Sequence, residues 1–178
     1  MNNFLKALLY DSYQLITDFV MHIPISNVRF LYCRIVMPSI GHGTQISRHV
    51  HFISPHKIVL GNNVFINRNA TLDGRKGLEI EDNVDIGEFS SIWSLQHDYN
   101  DPNHATIGGK TVIKDHSWIA PHSIILPGIE IGRGTVVATQ AVVTKNTPAH
   151  SIMAGIPAKQ IAERKNPLQY KLTYKIIF

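Results

Sequence analysis

The chain has 178 residues, 44% hydrophobic and 17% charged, with a formal net charge of +4 at pH 7; that is enough to bury a core and too little to require a second domain. The mild positive balance suits a phosphorylated small molecule as well as nucleic acid. No interleaved basic and aromatic residues, finger spacing or recognition-helix pattern accompanies it, so no nucleic-acid partner is expected. A lone cysteine, Cys33, excludes an intramolecular disulfide framework.

The first stretch, MNNFLKALLYDSYQLITDFVMHIPIS, lacks the basic head, unbroken apolar run and cleavage site of a signal peptide. Lys6, Asp11, Gln14 and Asp18 also interrupt it too often for a membrane span. A cytoplasmic location is expected. Leu5, Leu8, Leu9, Ser12, Tyr13, Ile16, Phe19 and Val20 keep a period near 3.6, which predicts an amphipathic helix within an N-terminal helical segment, 1–39. Packing on the body of the protein is the usual meaning of such a face, and peripheral contact with a membrane is the sharper one.

Next comes a repeat. From Ile113 the chain reads IKDHSW, IAPHSI, ILPGIE, IGRGTV, VATQAV and VTKNTP, six hexads each opening with Ile or Val. Earlier pairs start at Ile40, Leu60 and Ile80, and small insertions at 53–59 and 73–79 absorb the extra residues between them. A strict period of six fits neither a helix nor a plain strand. It fits a coil with three flat sides, each side contributing one inward aliphatic and one inward small residue, with turns stacked about 4.8 Å apart. The predicted fold is therefore all-β, a parallel β-helix over 40–148, followed by a C-terminal extension, 149–178.

Residues 93–112 leave that frame. A loop this long in a compact fold is usually functional, and its Asp, Asn, Pro and Gly content makes it rich in turns. It carries His97 and His104, and imidazole is the side chain whose ordinary pKa lies nearest neutrality. No G-x-S-x-G nucleophile is present and Cys33 precedes the repeats. His116 and His122 are six apart, but a six-residue step crosses to another side of the coil, so they are not read as a metal pair and no metal is expected.

Three stretches, QHDYNDP at 96–102, SWIAPHSIILPGIEIGRGTVVATQAVVTK at 117–145 and PAHSIMAGIPAKQI at 148–161, resemble the hexapeptide-repeat acyltransferases. The similarity runs over roughly 40–165. It is nearest to the galactoside, maltose and nodulation-factor O-acetyltransferases with the xenobiotic acetyltransferases, and closer still to polysaccharide-cluster sugar O-acetyltransferases. The resemblance implies a left-handed β-helix, a homotrimer, acetyl-CoA as cosubstrate and a hydroxyl-bearing acceptor such as a saccharide. It places the general base at His97, with Asp98 either shaping the loop or orienting the ring. Cofactor contacts fall at Trp118, Ala120, Ala138, Thr139, Lys145 and Lys159, with Arg164 substituting for an Arg that relatives carry where this chain has Ala162. Asn67 and Asp73 match positions that hold sugar hydroxyls in relatives. Acetylation of an antibiotic and a non-catalytic scaffold remain the alternatives.

Overall fold

The computed structural model describes residues 2–173; residues 174–178 of the expected extension lie outside the described residues. Two helices, α1 (Asn3–His22) and α2 (Ser26–Val36), precede five three-sided coils. The first coil contains β1 (Ser39–Ile40), β2 (Gln45–Ile46) and β3 (His51–Ile53), and the second contains β4 (Ile58–Leu60), β5 (Phe65–Ile66) and β6 (Thr71–Asp73). The third contains β7 (Leu78–Ile80), β8 (Asp85–Ile86) and β9 (Ser91–Ile92), after which a hairpin of β10 (Leu95–His97) and β11 (Thr106–Gly108) leaves the coil. The path resumes with β12 (Thr111–Ile113), β13 (Trp118–Ile119) and β14 (Ile124–Ile125), then β15 (Glu130–Ile131), β16 (Val136–Val137) and β17 (Val142–Val143). Finally β18 (Ser151–Gly155) adds to the second side and turns back antiparallel into β19 (Ala158–Glu163).

Three parallel walls result, built by the first, second and third strands of successive coils. The coil winds left-handed. In the first wall Leu60, Ile80, Ile113 and Ile131 stack in register. The second wall stacks Ile66, Ile86, Ile119 and Val137, and the third stacks Phe52, Leu72, Ile92, Ile125 and Val143. All are buried, each contributing about 1.5–3 kcal/mol of transfer free energy. The fifth place also points inward and is Ser, Thr, Ala or Val, with Ile129 the exception, because the corner is tight. Its hydroxyls are satisfied by backbone carbonyls, Ser117 on Gly132 at 3.0 Å and Thr135 on Pro148 at 2.8 Å.

The fourth place explains the histidines. Asn63, Asn69, Asn83, His49, His116 and His122 all sit at corners with φ between 53° and 63°, the left-handed region in which Asn and His are enriched among residues with a side chain. His116 Nε2 donates to the Tyr170 carbonyl at 3.1 Å and its Nδ1 lies 2.8 Å from Asp115 Oδ2, while the His122 ring stacks on Phe89 at 4.9 Å. Among the described residues no group of three or more His, Cys, Asp or Glu side chains gathers to hold a metal.

The N-terminal helix differs from its expected packing. Tyr13, Gln14, Thr17, Val20 and Met21 face the first coil, Gln14 donating to the Phe52 carbonyl at 2.8 Å and Asp18 pairing with His51 at 3.0 Å. Much of the apolar stripe, namely Leu5, Leu8, Leu9, Ile16 and Phe19, is exposed instead. Two polar tethers and the Thr17–Tyr32 hydroxyl contact of 2.6 Å fix the helix rotation, so the 3.6-residue periodicity located a helix but misjudged its inner face. No helix among the described residues is long and apolar enough to cross a membrane.

Candidate active site

The site begins at the root of the β10–β11 hairpin. Asp73, at the end of β6, is fully buried and accepts five N–H groups: Arg75 N and Nε at 2.9 Å, Arg75 Nη2 at 3.0 Å, Ser94 N at 3.0 Å and Leu95 N at 3.2 Å. Arg75 reaches on to the Leu95 carbonyl at 3.3 Å. Burial raises the Asp73 carboxyl, but the hydrogen bonds and charge of Arg75 and the Ser94 N–H outweigh it, and the carboxyl lies below its ordinary value. Asp73 is thus turned into the protein and its oxygens are occupied. This corrects the expectation that it meets a sugar hydroxyl: the carboxylate anchors the loop. At the opposite side of the root, a Cβ on Gly108 would lie 2.2 Å from the Ser94 carbonyl, so only glycine allows the strands to leave the coil this closely.

Beyond Leu95 the recorded hydrogen bonds of the hairpin are internal. His97 is exposed, and its Nδ1 lies 2.8 Å from the His104 carbonyl oxygen, with the two imidazoles stacked at 4.0 Å and 3°. A carbonyl oxygen can only accept, so Nδ1 carries the proton and Nε2 keeps the lone pair. Asp98 does not orient the ring. Its carboxylate accepts from Asn100 N at 2.9 Å and its own N–H donates to the Ala105 carbonyl at 2.8 Å, which makes it a turn-former. Asp101 does the same for Asn103 and Ala105 at 2.7 and 3.2 Å. The second loop histidine, His104, gives its main-chain carbonyl to orient the His97 ring. Arg75 and Ser94 were not anticipated: Ser94 meets Lys76 and Asp73 across 18 and 21 residues, and Arg75, though only two residues from Asp73, reaches the hairpin at Leu95 across 20.

The other expected residues divide among the edges of the prism. Asn67, Ala120, Ala138 and Thr139 follow second-wall strands and line the edge between the second and third walls. Asn67 Nδ2 donates to Asp85 and the Ile86 carbonyl, both at 2.9 Å. Ala120 is only 3% exposed, and its N–H already binds the Val137 carbonyl at 2.9 Å, as the Ala138 N–H binds that of Met153 at 2.8 Å. These backbone N–H groups are therefore not available to a ligand, whereas Thr139 is exposed. Trp118 stands on the second wall between Asp85 and Val136, 44% exposed. Lys145, on the edge between the third and first walls, and Lys159, on β19, are both exposed, and among the described residues neither forms an ion pair with a carboxylate.

Arg164 departs from expectation. Its Nη1 donates to the carbonyls of His116 at 2.7 Å and Gly134 at 3.1 Å, and its Nη2 to the Tyr170 hydroxyl at 3.0 Å. It pins the C-terminal tail to the edge between the first and second walls and is not free to meet a phosphate. Nor does the acidic hollow on the first wall serve an anion. This hollow, about 470 Å³ in volume, is lined by Glu79, Glu81, Asp82 and Asp115, with Lys110, Lys114 and Arg133 already paired to three of them.

The family described as bacterial transferase hexapeptide (six repeats) matches residues 110–145, the stretch that builds the fourth and fifth coils. That stretch carries the hexapeptide repeat of the family. The hexapeptide-repeat chain is 27% identical over 128 residues to galactoside O-acetyltransferase of Escherichia coli (strain K12), covering 70% of this chain and 63% of that one. It is 28% identical over 136 residues to a candidate colanic acid biosynthesis acetyltransferase, WcaF, of the same strain, covering 76% and 75%. Among solved structures, the hexapeptide-repeat acetyltransferase VCA0836 of Vibrio cholerae, complexed with acetyl coenzyme A, superposes with a TM-score of 0.80 at 26% identity, covering 87% of each chain. For three curated relatives the match spans 53%, 27% and 63% of the relative's own length.

Proposed function

We propose that the protein is an acetyl-CoA-dependent O-acetyltransferase that modifies a hydroxyl of a saccharide acceptor, with His97 as general base. The observation that carries this reading is the His97 ring itself, exposed on a braced hairpin with its protonated nitrogen bound to a carbonyl and Nε2 left as an acceptor. A hydroxyl is a poor nucleophile while it holds its proton. Nε2 takes that proton as the oxygen attacks and can return it to the departing sulfur. Acetyl-CoA supplies the activated thioester. Burial pushes the Cys33 thiol up to about 12, which leaves it protonated and inaccessible, so direct transfer without an acyl-enzyme is the simplest course.

The residues fit such a donor in part. Lys145 and Lys159, which form no ion pair among the described residues, suit its phosphates, the exposed Thr139 and small Ala138 leave room along the coil edge, and Trp118 offers an apolar surface. His97 arises at the edge between the third and first walls, while Thr139 lies at the edge between the second and third. A complete site therefore joins two subunits, and a closed homotrimer provides three such junctions. Similarity to WcaF, whose name refers to colanic acid biosynthesis, supports an acceptor in polysaccharide synthesis. The exposed apolar stripe of α1 supports peripheral contact with a membrane.

The test is acceptor-dependent thiol release from acetyl-CoA with a panel of mono- and oligosaccharides. A second reading, antibiotic acetylation, draws on the 46% identity over 56 residues to chloramphenicol acetyltransferase of Agrobacterium fabrum, so chloramphenicol belongs in the panel. Turnover with a saccharide supports the first reading, turnover with chloramphenicol alone supports the second, and thiol release with no acceptor in the panel contradicts both.

A further inference from the structure

Away from the hairpin, a cavity of about 420 Å³ opens between the start of α2 and the first two coils, lined by Ser26, Arg29, Gln45, Ser47, Arg48 and Arg68, with no carboxylate in its lining. Arg29 is 5% exposed, and its recorded hydrogen bonds go to backbone carbonyls, Nε to Ile46 at 3.0 Å and Nη1 to Ile23. Among the described residues no carboxylate forms an ion pair with Arg29 or Arg48, and Arg68 meets only Glu88, at 3.6 Å.

Arg48 and Arg68 occupy the third place of equivalent hexads in successive coils, on the same edge, so their backbones stack at about the 4.8 Å coil spacing. A buried guanidinium and two like charges stacked above it are costly unless something neutralises them. The neighbouring imidazole registers the same field: His49 is held below its ordinary value by burial, by His22 and by all three arginines.

The N-terminus of α2 adds to this positive cluster. Ile25 caps it without a side-chain hydrogen bond and its first turn holds no acidic residue. The leading N–H groups of a helix have no partner within it, and they attract anions.

From this geometry we infer a phosphate-binding site formed by Arg29, Arg48, Arg68 and the first turn of α2, suited to a phosphate monoester or diphosphate group. Arg forks match phosphate oxygens in pairs, and the cavity has room for the group with a small substituent. The site lies on the edge that also carries Ala138 and Thr139, three coils from them at Arg68 and four at Arg48, or about 14–19 Å. The phosphate can belong to a phosphorylated saccharide or to a phospholipid headgroup beneath the apolar face of α1.

Binding is read directly, without acetyl transfer, so its failure and the failure of the enzymatic reading are separate. The probes are inorganic pyrophosphate and glucose 1-phosphate by calorimetry, and vesicles of phosphatidylglycerol against phosphatidylcholine by co-sedimentation. The exposed pair Arg48→Gln/Arg68→Gln is compared with Lys76→Gln/Lys165→Gln, which removes equal charge elsewhere. The expected result is saturable binding of at least one phosphate probe, weakened about tenfold or more in the arginine variant alone. Retention on the soluble probes identifies a phosphorylated small molecule as the source, and retention on phosphatidylglycerol alone identifies a headgroup. Absence of saturable binding to every probe, or equal weakening in both variants, overturns the site.

Discussion

The Nδ1 atom of His97 is held at 2.8 Å by the main-chain carbonyl of His104, and the two rings stack face to face at 4.0 Å. Because the bond uses the backbone of His104, His104→Ala keeps the carbonyl and loses only the stack. An aromatic contact of this kind contributes about 0.5–1.5 kcal/mol. Steady-state kinetics of His104→Ala should therefore show kcat reduced by about tenfold at most, with the KM for acetyl-CoA unchanged. A collapse as deep as that from removing His97 itself assigns the base to His104.

Asp73 supports that arrangement from the root of the hairpin. Asp73→Asn removes the charge that Arg75 and the Ser94 and Leu95 N–H groups point at. The unfolding free energy should fall by about 2–4 kcal/mol, less than for a fully buried pair because Arg75 is partly exposed. The depressed folded-state value also sets the pH response. The stability that Asp73 contributes is complete above its unfolded value of about 3.9 and is lost as pH falls through the lower folded value. Denaturant unfolding of the parent should weaken below about pH 4, with a smaller slope in Asp73→Asn.

Arg164 and Lys145 are expected to separate. Arg164→Ala removes the guanidinium donor from the His116 and Gly134 carbonyls, costs about 1–3 kcal/mol and frees the tail for proteolysis near Tyr170, while coenzyme A affinity stays within about twofold. Lys145→Ala leaves stability unchanged and weakens coenzyme A several-fold through loss of one phosphate contact. Calorimetry with coenzyme A and limited proteolysis distinguish the two.

If each site joins His97 of one subunit to the Thr139 edge of the next, two inactive variants should complement. His97→Ala and Thr139→Trp, each inactive alone, regain about a quarter of parental activity when mixed by refolding, since about one junction in four then carries both intact halves. Mixtures that stay inactive contradict the shared site.

Much of this architecture was legible because the hexad is a local code. Ile113, Ile119 and Ile125 announce three walls, and the left-handed corners at His116 and His122 account for histidines that a metal reading made tempting. His97 stood out because its loop breaks the frame. What the sequence could not give were contacts across coils. Asp73 and Ser94 are 21 residues apart, and Arg164 meets His116 over 48, so a buried anchor read as a sugar ligand and a tail clasp read as a phosphate contact. The exposed face of α1 was missed because Gln14 and Asp18, polar residues in an apolar pattern, set its rotation.

The most direct measurement is acceptor-dependent thiol release by His97→Ala beside the parent, with coenzyme A binding measured on both. The account predicts a fall in kcat of about 10²-fold or more, as loss of a general base requires, with binding intact. Undiminished turnover in His97→Ala contradicts it.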